Sequence, residues 1–136
     1  MKRKRKTMGK LLNDLQAVFN LYIRLRDAGK PCVSCGKPLF ETDTTNASHL
    51  FPVKGYPTLR FNESNVHRSC VWCNMGLEGN SVEYLQRLPK RIGQDKVDEL
   101  LWLADRDRKV NHKWQRHEIL EKIEHYKALC KSLSGQ

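Results

Sequence analysis

Apolar positions recur at helical spacing in several stretches, separated by a long polar, turn-rich segment. Over residues 10–28, Leu11, Leu15, Val18, Tyr22 and Leu25 fall on one side of a helix, with Arg24 and Arg26 elsewhere on the wheel. Gly29, Lys30 and Pro31 stop it. Residues 31–73 are punctuated by Gly36, Pro38, Pro52, Gly55 and Pro57, and accommodate only short strands, predicted over 50–53 and 58–61. A helix can begin at Asn74, interrupted near Gly76 and Gly79. Ser81 reads as the N-cap of a helix through Leu85 and Leu88, which Pro89 kinks or ends and Gly93 breaks. Val97, Leu100, Leu101 and Ala104 mark a further helix, and residues 105–109 a hinge or exposed helical turn. The last helix spans 112–132, with Ile119, Ile123, Tyr126 and Cys130 in register. The pattern is α+β without internal repeats. It divides into a disordered basic arm (1–9), a main domain (10–104) and a C-terminal helix (105–136).

At 136 residues the chain fits one domain with a modest core, and its 39% hydrophobic content leaves room for a staple. A net charge of +10 points to a polyanionic partner, nucleic acid being the commonest. The run Lys2, Arg3, Lys4, Arg5 and Lys6 reads either as a solvated tail or as a phosphate-tracking arm. No apolar run approaches the ~18 residues of a membrane span. No apolar segment follows the basic N-terminus as in a secretory signal, so the expected address is the cytoplasm, with no membrane partner.

Thiols stay reduced there, so five cysteines argue for metal ligation over disulfides. Cys32-Val-Ser-Cys35 and Cys70-Val-Trp-Cys73 are two C-x-x-C pairs. The two-residue gap lets both sulfurs of a pair turn toward one ion, and two pairs complete the tetrahedral shell of a structural zinc. A redox C-x-x-C needs one pair and a βαβ context. Cys130, on a helical stripe, reads as a small buried hydrophobe.

The segment between the pairs is longer than in a plain zinc ribbon, with room for a β-hairpin, and holds His49, Glu63, Asn65 and His67; Asn74 directly follows Cys73. Phosphodiester hydrolysis needs a base working near neutral pH, which suits histidine, and positive charge on the phosphoryl oxygens, which a divalent metal supplies. His49 is the candidate base. The Asn74 amide oxygen suits a hard cation such as Mg²⁺. Asn65 either shapes a turn or holds the loop that carries the base. His67 reads as structural or as a minor phosphate contact, and Glu63 as a metal ligand or a solvated acid.

The order C-x-x-C, His, Asn, C-x-x-C-Asn resembles zinc-stapled HNH (His-Me finger) endonucleases. Over a longer span, FNLYIRLRDAGKPCVSCGKP, ASHLFPVKGYPTLRFNESNVHRSCVWCN and LEGNSVEYLQRLPKRIGQDKVDEL resemble the lambdoid-phage NinG (Rap) recombination-endonuclease family. The resemblance runs from about Leu12 to Leu101. It implies a ββα-metal core with added helices, and Mg²⁺- or Mn²⁺-dependent cleavage of branched DNA such as D-loops and four-way (Holliday) junctions, in a bacterial host's cytoplasm. It implies Cys32, Cys35, Cys70 and Cys73 as zinc ligands, His49 as general base, Asn74 as metal ligand and Asn65 as the residue fixing the base's loop. Where the wider HNH pattern often has a metal-binding aspartate, this chain has Ser48, a weak ligand for a hard cation. Asp43, Asn46 or Glu63 then become candidates to complete the shell.

Lys54, Arg60, Arg68, Lys90 and Arg91 are the candidate DNA contacts, giving salt-dependent, sequence-independent affinity. Symmetric cutting of two strands favours a C2 homodimer. Two other readings share the cysteines: a non-catalytic zinc module that binds nucleic acid, and a zinc-stabilised adaptor for a recombination or replication protein, in which the basic excess is incidental.

Overall fold

The computed structural model describes residues 4–135. Helix α1 runs Met8–Arg26, strand β1 Thr45–His49, strand β2 Val66–Cys70, and helices α2, α3 and α4 run Ser81–Ile92, Gln94–Lys109 and Arg116–Ser134. The two strands form one antiparallel ladder, with Thr45 opposite Cys70 and His49 opposite Val66. The hairpin lies between two helical layers, and each layer buries its own apolar cluster against it. Mixed α and β structure is therefore present, as the pattern predicts.

The Thr7 side chain accepts from the Lys10 amide (3.1 Å), so α1 starts two residues before its predicted start, inside the expected basic arm. Of that arm, residues 1–3 lie outside the described residues. Lys6 is tied by its ammonium to Asp14 (3.0 Å) and by its carbonyl to Arg116 (2.6 Å). α1 buries Leu11, Leu15, Phe19 and Ile23, each four residues from the last, whereas Val18, Tyr22 and Leu25 lie half-buried beside that seam. α4 covers it with Ile119, Ile123 and Tyr126, while Phe61 and Val66 join from the hairpin. The C-terminal helix thus shares its core with α1. A capping box closes its start: the Gln115 amide donates to Glu118 at 2.8 Å.

On the other side of the hairpin, Tyr84 and Leu88 of α2 meet Val97, Leu100 and Ala104 of α3, with Val33, Leu50 and Leu59. α2 starts from Asn80, in the left-handed conformation (φ 47°), so Ser81 is its first residue and not its cap. Pro89 does not end α2, which continues to Ile92; Gly93, at φ 90°, makes the break to α3. Residues 105–109 are no hinge but the end of α3. There buried Asp107 accepts from the Thr58 amide (3.0 Å) and hydroxyl (2.7 Å).

The strands are not where they were expected. Residues 50–53 and 58–61 form the connection between β1 and β2, including a 3₁₀ turn at Pro57–Leu59. Their apolar side chains Leu50, Leu59 and Phe61 are buried as loop anchors. The helix predicted from Asn74 is one π-helical turn, Trp72–Gly76.

Candidate functional site

The cysteine pairs sit on two tight turns at one end of the hairpin. In the first, the Cys32 amide donates to the Lys37 carbonyl (2.8 Å) and the Gly36 amide to the Cys32 carbonyl (2.9 Å). In the second, the Cys73 amide donates to Cys70 Sγ (3.4 Å), and across the pairs the Cys70 amide donates to Cys32 Sγ (3.3 Å). The Asn80 side chain donates to Cys73 Sγ at 3.6 Å. All four sulfurs lie within 4.8 Å of one another, with Cys35 and Cys70 at 4.0 Å. A zinc with 2.3 Å bonds needs tetrahedral edges of about 3.8 Å, so small shifts close this cage on an ion. Burial raises the Cys32 thiol, but amide donors outweigh it and bring the thiol down to about 7. Burial drives Cys73 to about 12, with its neighbouring thiols adding to the rise. The four cysteines can therefore hold a metal such as zinc. Cys130 stands apart on α4, buried against the Val18 carbonyl.

Five residues form β1 between the cysteine end of the ladder and His49 at the far end. The connection that follows is closed by Asn65, which is fully buried. Its Oδ1 accepts from the Phe51 amide (2.8 Å), its Nδ2 donates to the carbonyls of Phe51 and Leu59 (both 3.0 Å), and its own carbonyl accepts from the Leu50 amide (2.9 Å). An apolar side chain here would leave several buried groups unpaired, at roughly 1–3 kcal/mol each. The closed loop presents the Arg60 carbonyl to His49 Nε2 at 2.9 Å. A carbonyl only accepts, so Nε2 carries the proton and Nδ1 the lone pair. Burial lowers the His49 pKa, partly countered by that carbonyl, and the ring is neutral at pH 7.

Tyr84 locks this end of the hairpin to α2. Its hydroxyl donates to the Ser48 carbonyl (2.8 Å), with the Asn65 carbonyl at 3.3 Å and His67 Nδ1 at 3.1 Å. Ser48 and His67 face each other across the ladder. His67 is buried, and desolvation lowers its pKa to about 3. The Ser48 hydroxyl is buried without a hydrogen-bond partner, as are Asn46 Nδ2 and Ser69 Oγ on the same face of the ladder. That face has unsatisfied polar capacity of the sort a ligand or ion would use.

Asn74 follows Cys73 on the π-helical turn and is half-buried. Among the described residues no hydrogen bond joins it to His49, Ser48 or Glu63. Glu63 lies elsewhere: its two oxygens accept from the hydroxyls of Tyr22 (2.9 Å) and Tyr126 (3.1 Å), and its carbonyl accepts from Arg26 (2.9 Å). It braces the loop against α1 and α4. Asp43 accepts from the Phe40 amide in an exposed turn (2.7 Å).

The five expected DNA contacts divide. Lys54 and Lys90 are exposed. Arg60 is half-buried, its Nε donating to Gln16 (2.8 Å) and its guanidinium lying over Phe61. Arg68 is buried, and donates to Thr45 (3.1 Å) and the Phe40 carbonyl (3.3 Å). Arg91 donates to the Pro31 carbonyl at 2.7 Å, and burial lowers its pKa.

The sequence reading missed Asp27. This buried carboxylate accepts two bonds from Arg26 (2.8 and 3.0 Å) and one from the Arg68 amide (2.9 Å), joining α1 to β2. Burial alone would raise its pKa, but Arg26 and the Arg68 amide hold it below the ordinary carboxylate value. No spacing rule singles out an aspartate just past a helix end, nor Tyr84, which reads as one more core position.

The family model described as "Bacteriophage Lambda NinG protein" matches residues 1–135. The ninG protein of Escherichia phage 933W is 36% identical over 112 residues, covering 77% of this chain and 55% of that protein. That of Escherichia phage lambda is 42% identical over 89 residues, or 65% of this chain and 43% of that protein. That of Salmonella phage P22 is 37% identical over 107 residues, or 79% and 49%. The chain spans about half the length of the curated relatives it matches. No solved structure matches it.

Proposed function

The chain belongs to the NinG family of lambdoid phage proteins, and from that premise we propose that it is a divalent-metal-dependent DNA endonuclease acting on branched recombination intermediates. The observation that carries the reading is His49, with Nε2 held by the Arg60 carbonyl and its pKa lowered by burial. This is an imidazole fixed in one tautomer, neutral at pH 7, with Nδ1 available to take a proton from water.

In this reading the hairpin, the cysteine turns and α2 form a ββα-metal core. Cys32, Cys35, Cys70 and Cys73 hold a structural zinc that sets the turn bearing Asn74. Asn65 fixes the loop that orients His49. Asn74 and the unpartnered Ser48 hydroxyl are the oxygen ligands for Mg²⁺ or Mn²⁺. That cation would supply the positive charge the phosphoryl group needs as it is attacked. Arg60, close enough for its charge to lower the His49 pKa, holds the phosphate beside the base. Lys54 and Lys90 add long-range attraction. Glu63, committed to two tyrosines, is assigned the brace and not the metal shell.

One observation favours a second reading. Both proposed metal ligands are neutral, which suits a DNA-binding module without catalysis. Incubation with labelled linear, D-loop and four-way-junction DNA, with Mg²⁺, Mn²⁺ or chelator, separates the two. The nuclease cuts branched DNA with metal, and His49→Ala loses on the order of 10²–10⁴-fold in rate while keeping its zinc. Binding without cleavage under every metal condition, by wild-type protein with zinc intact, leaves the second reading.

A further inference from the structure

Beside the first cysteine turn is a cavity of about 470 Å³, within the usual range for ligand pockets. Four cations line it, Lys30, Arg87, Lys90 and Arg91, together with Gly36 and Cys32, and no carboxylate does. Lys30 and Lys90 are exposed and form no ion pair among the described residues.

The two arginines are held differently. Arg87 lies against Gly36: a Cβ there would meet Nη1 at 2.3 Å and Cζ at 2.9 Å, so only glycine lets the guanidinium rest on the turn. Gly36 itself is at φ 75°, a conformation that turn requires. Arg91 is short of acceptors. Its Nη2 has the Pro31 carbonyl, but Nη1 is buried with no hydrogen bond and stands 4.0 Å from Asp27. Arg91 has the Asp27 carboxylate as a counter-charge, but no carboxylate lines the cavity to balance Lys30, Arg87 and Lys90, and gathering these like charges is unfavourable unless an anion joins them.

We propose that this cavity is a phosphate-binding site, which takes a phosphodiester of the DNA backbone away from the bond cut at His49. Cys32 lies in its wall and Cys70 pairs with Thr45, whereas His49 is four residues along β1 from Thr45. Four residues of strand span about 13 Å. DNA is then gripped at both ends of the hairpin, with the metal clamp fixing one grip. Arg87 gives planar, two-pronged contact to phosphate oxygens; Lys30 and Lys90 act as mobile point charges. The site rests on the DNA reading above and adds Lys30 and Arg87 to it.

The test uses the full chain with its zinc, on a His49→Ala background so that substrate stays intact. Affinity for a labelled duplex and a four-way junction is measured by anisotropy over a range of salt. Arg87→Gln/Lys90→Gln is compared with Lys113→Gln/Lys127→Gln, which removes the same charge from exposed positions elsewhere. The pocket pair is expected to lower the slope of log K against log salt by about 1–2, at ~0.9 per lost phosphate contact, and the control pair by far less. Lys30→Gln, at an exposed position where folding is not at stake, is expected to act in the same direction. Equal slopes for the pocket and control pairs overturn the proposal.

A second arm needs no DNA. Free pyrophosphate is expected to raise the melting temperature of the parent protein, and that of Arg87→Gln/Lys90→Gln much less. Equal stabilisation of both proteins overturns the site; stabilisation lost in the variant, from a parent that binds no DNA, keeps the site for free phosphates and sinks the DNA reading alone.

Discussion

A buried histidine with no carboxylate bonded to its ring sets a pH limit on this molecule. His67 is 2% exposed, touches Tyr84, and has its pKa lowered from 6.5 to about 3 by desolvation. The folded form therefore resists a proton that the unfolded chain accepts. The stabilisation is fully present above pH 6.5 and is lost progressively as pH falls from there toward 3. His67→Gln keeps a polar partner for Tyr84 without the titration. Its melting temperature should fall less than that of the parent between pH 7.5 and 5; parallel curves would show that His67 titrates normally. At this scale the sequence was most legible where chemistry forces spacing. The cysteine pairs follow from their spacing alone, whereas Asn65 reads equally as a turn former, and only the fold shows its side chain bonded to the Phe51 and Leu59 backbone. Arg68 and Arg91 were less legible, because charge in a sequence says nothing about which guanidinium is turned inward to cap carbonyls.

Among the elements, the helices were readable and the strands were not. α1 and α4 bury apolar side chains at helical intervals, so periodicity found them. β1 is Thr-Asn-Ala-Ser-His and β2 is Val-His-Arg-Ser-Cys, and every residue of β2 is buried. No apolar alternation marks them, because hydrogen bonds from Arg26, to Asp27 and among the cysteine turns hold β2 in place. The apolar residues that suggested strands anchor the loop between them. The same contrast predicts how the elements respond to loss of metal. Structural zinc contributes on the order of 10 kcal/mol to folding in small zinc peptides. The α1–α4 seam contains no cysteine of the cluster. Stripping the metal with a strong chelator should abolish amide-exchange protection in the hairpin while protection in α1 and α4, whose seam holds Phe19, Tyr126 and Trp114, survives. Simultaneous loss of both would mean that hairpin and helix pair unfold as one unit.

Across the whole molecule, the division into a main domain and a C-terminal helix becomes a matter of shared core. α4 covers Leu11, Leu15, Phe19 and Ile23, and Tyr126 reaches Glu63 in the loop beside Asn65. Burying one such side chain contributes about 1.5–3 kcal/mol, so even half the gain from four is a large part of the 5–15 kcal/mol that holds a domain folded. A chain stopped after Gln115 should be recovered unfolded or aggregated, by dichroism and gel filtration, although every proposed catalytic residue is present. A folded, monomeric product would show that α4 is an accessory. The overall charge of +10 was legible from composition alone, but its concentration in one cavity required the fold to bring residues 30, 87, 90 and 91 together. Asp27 holds a different consequence. The Arg68 amide proton is bonded to a carboxylate that also holds Arg26, so solvent cannot reach it until the end of α1 lets go of β2. The lifetime of that one proton is thus a clock, counting how often β2 comes free of α1.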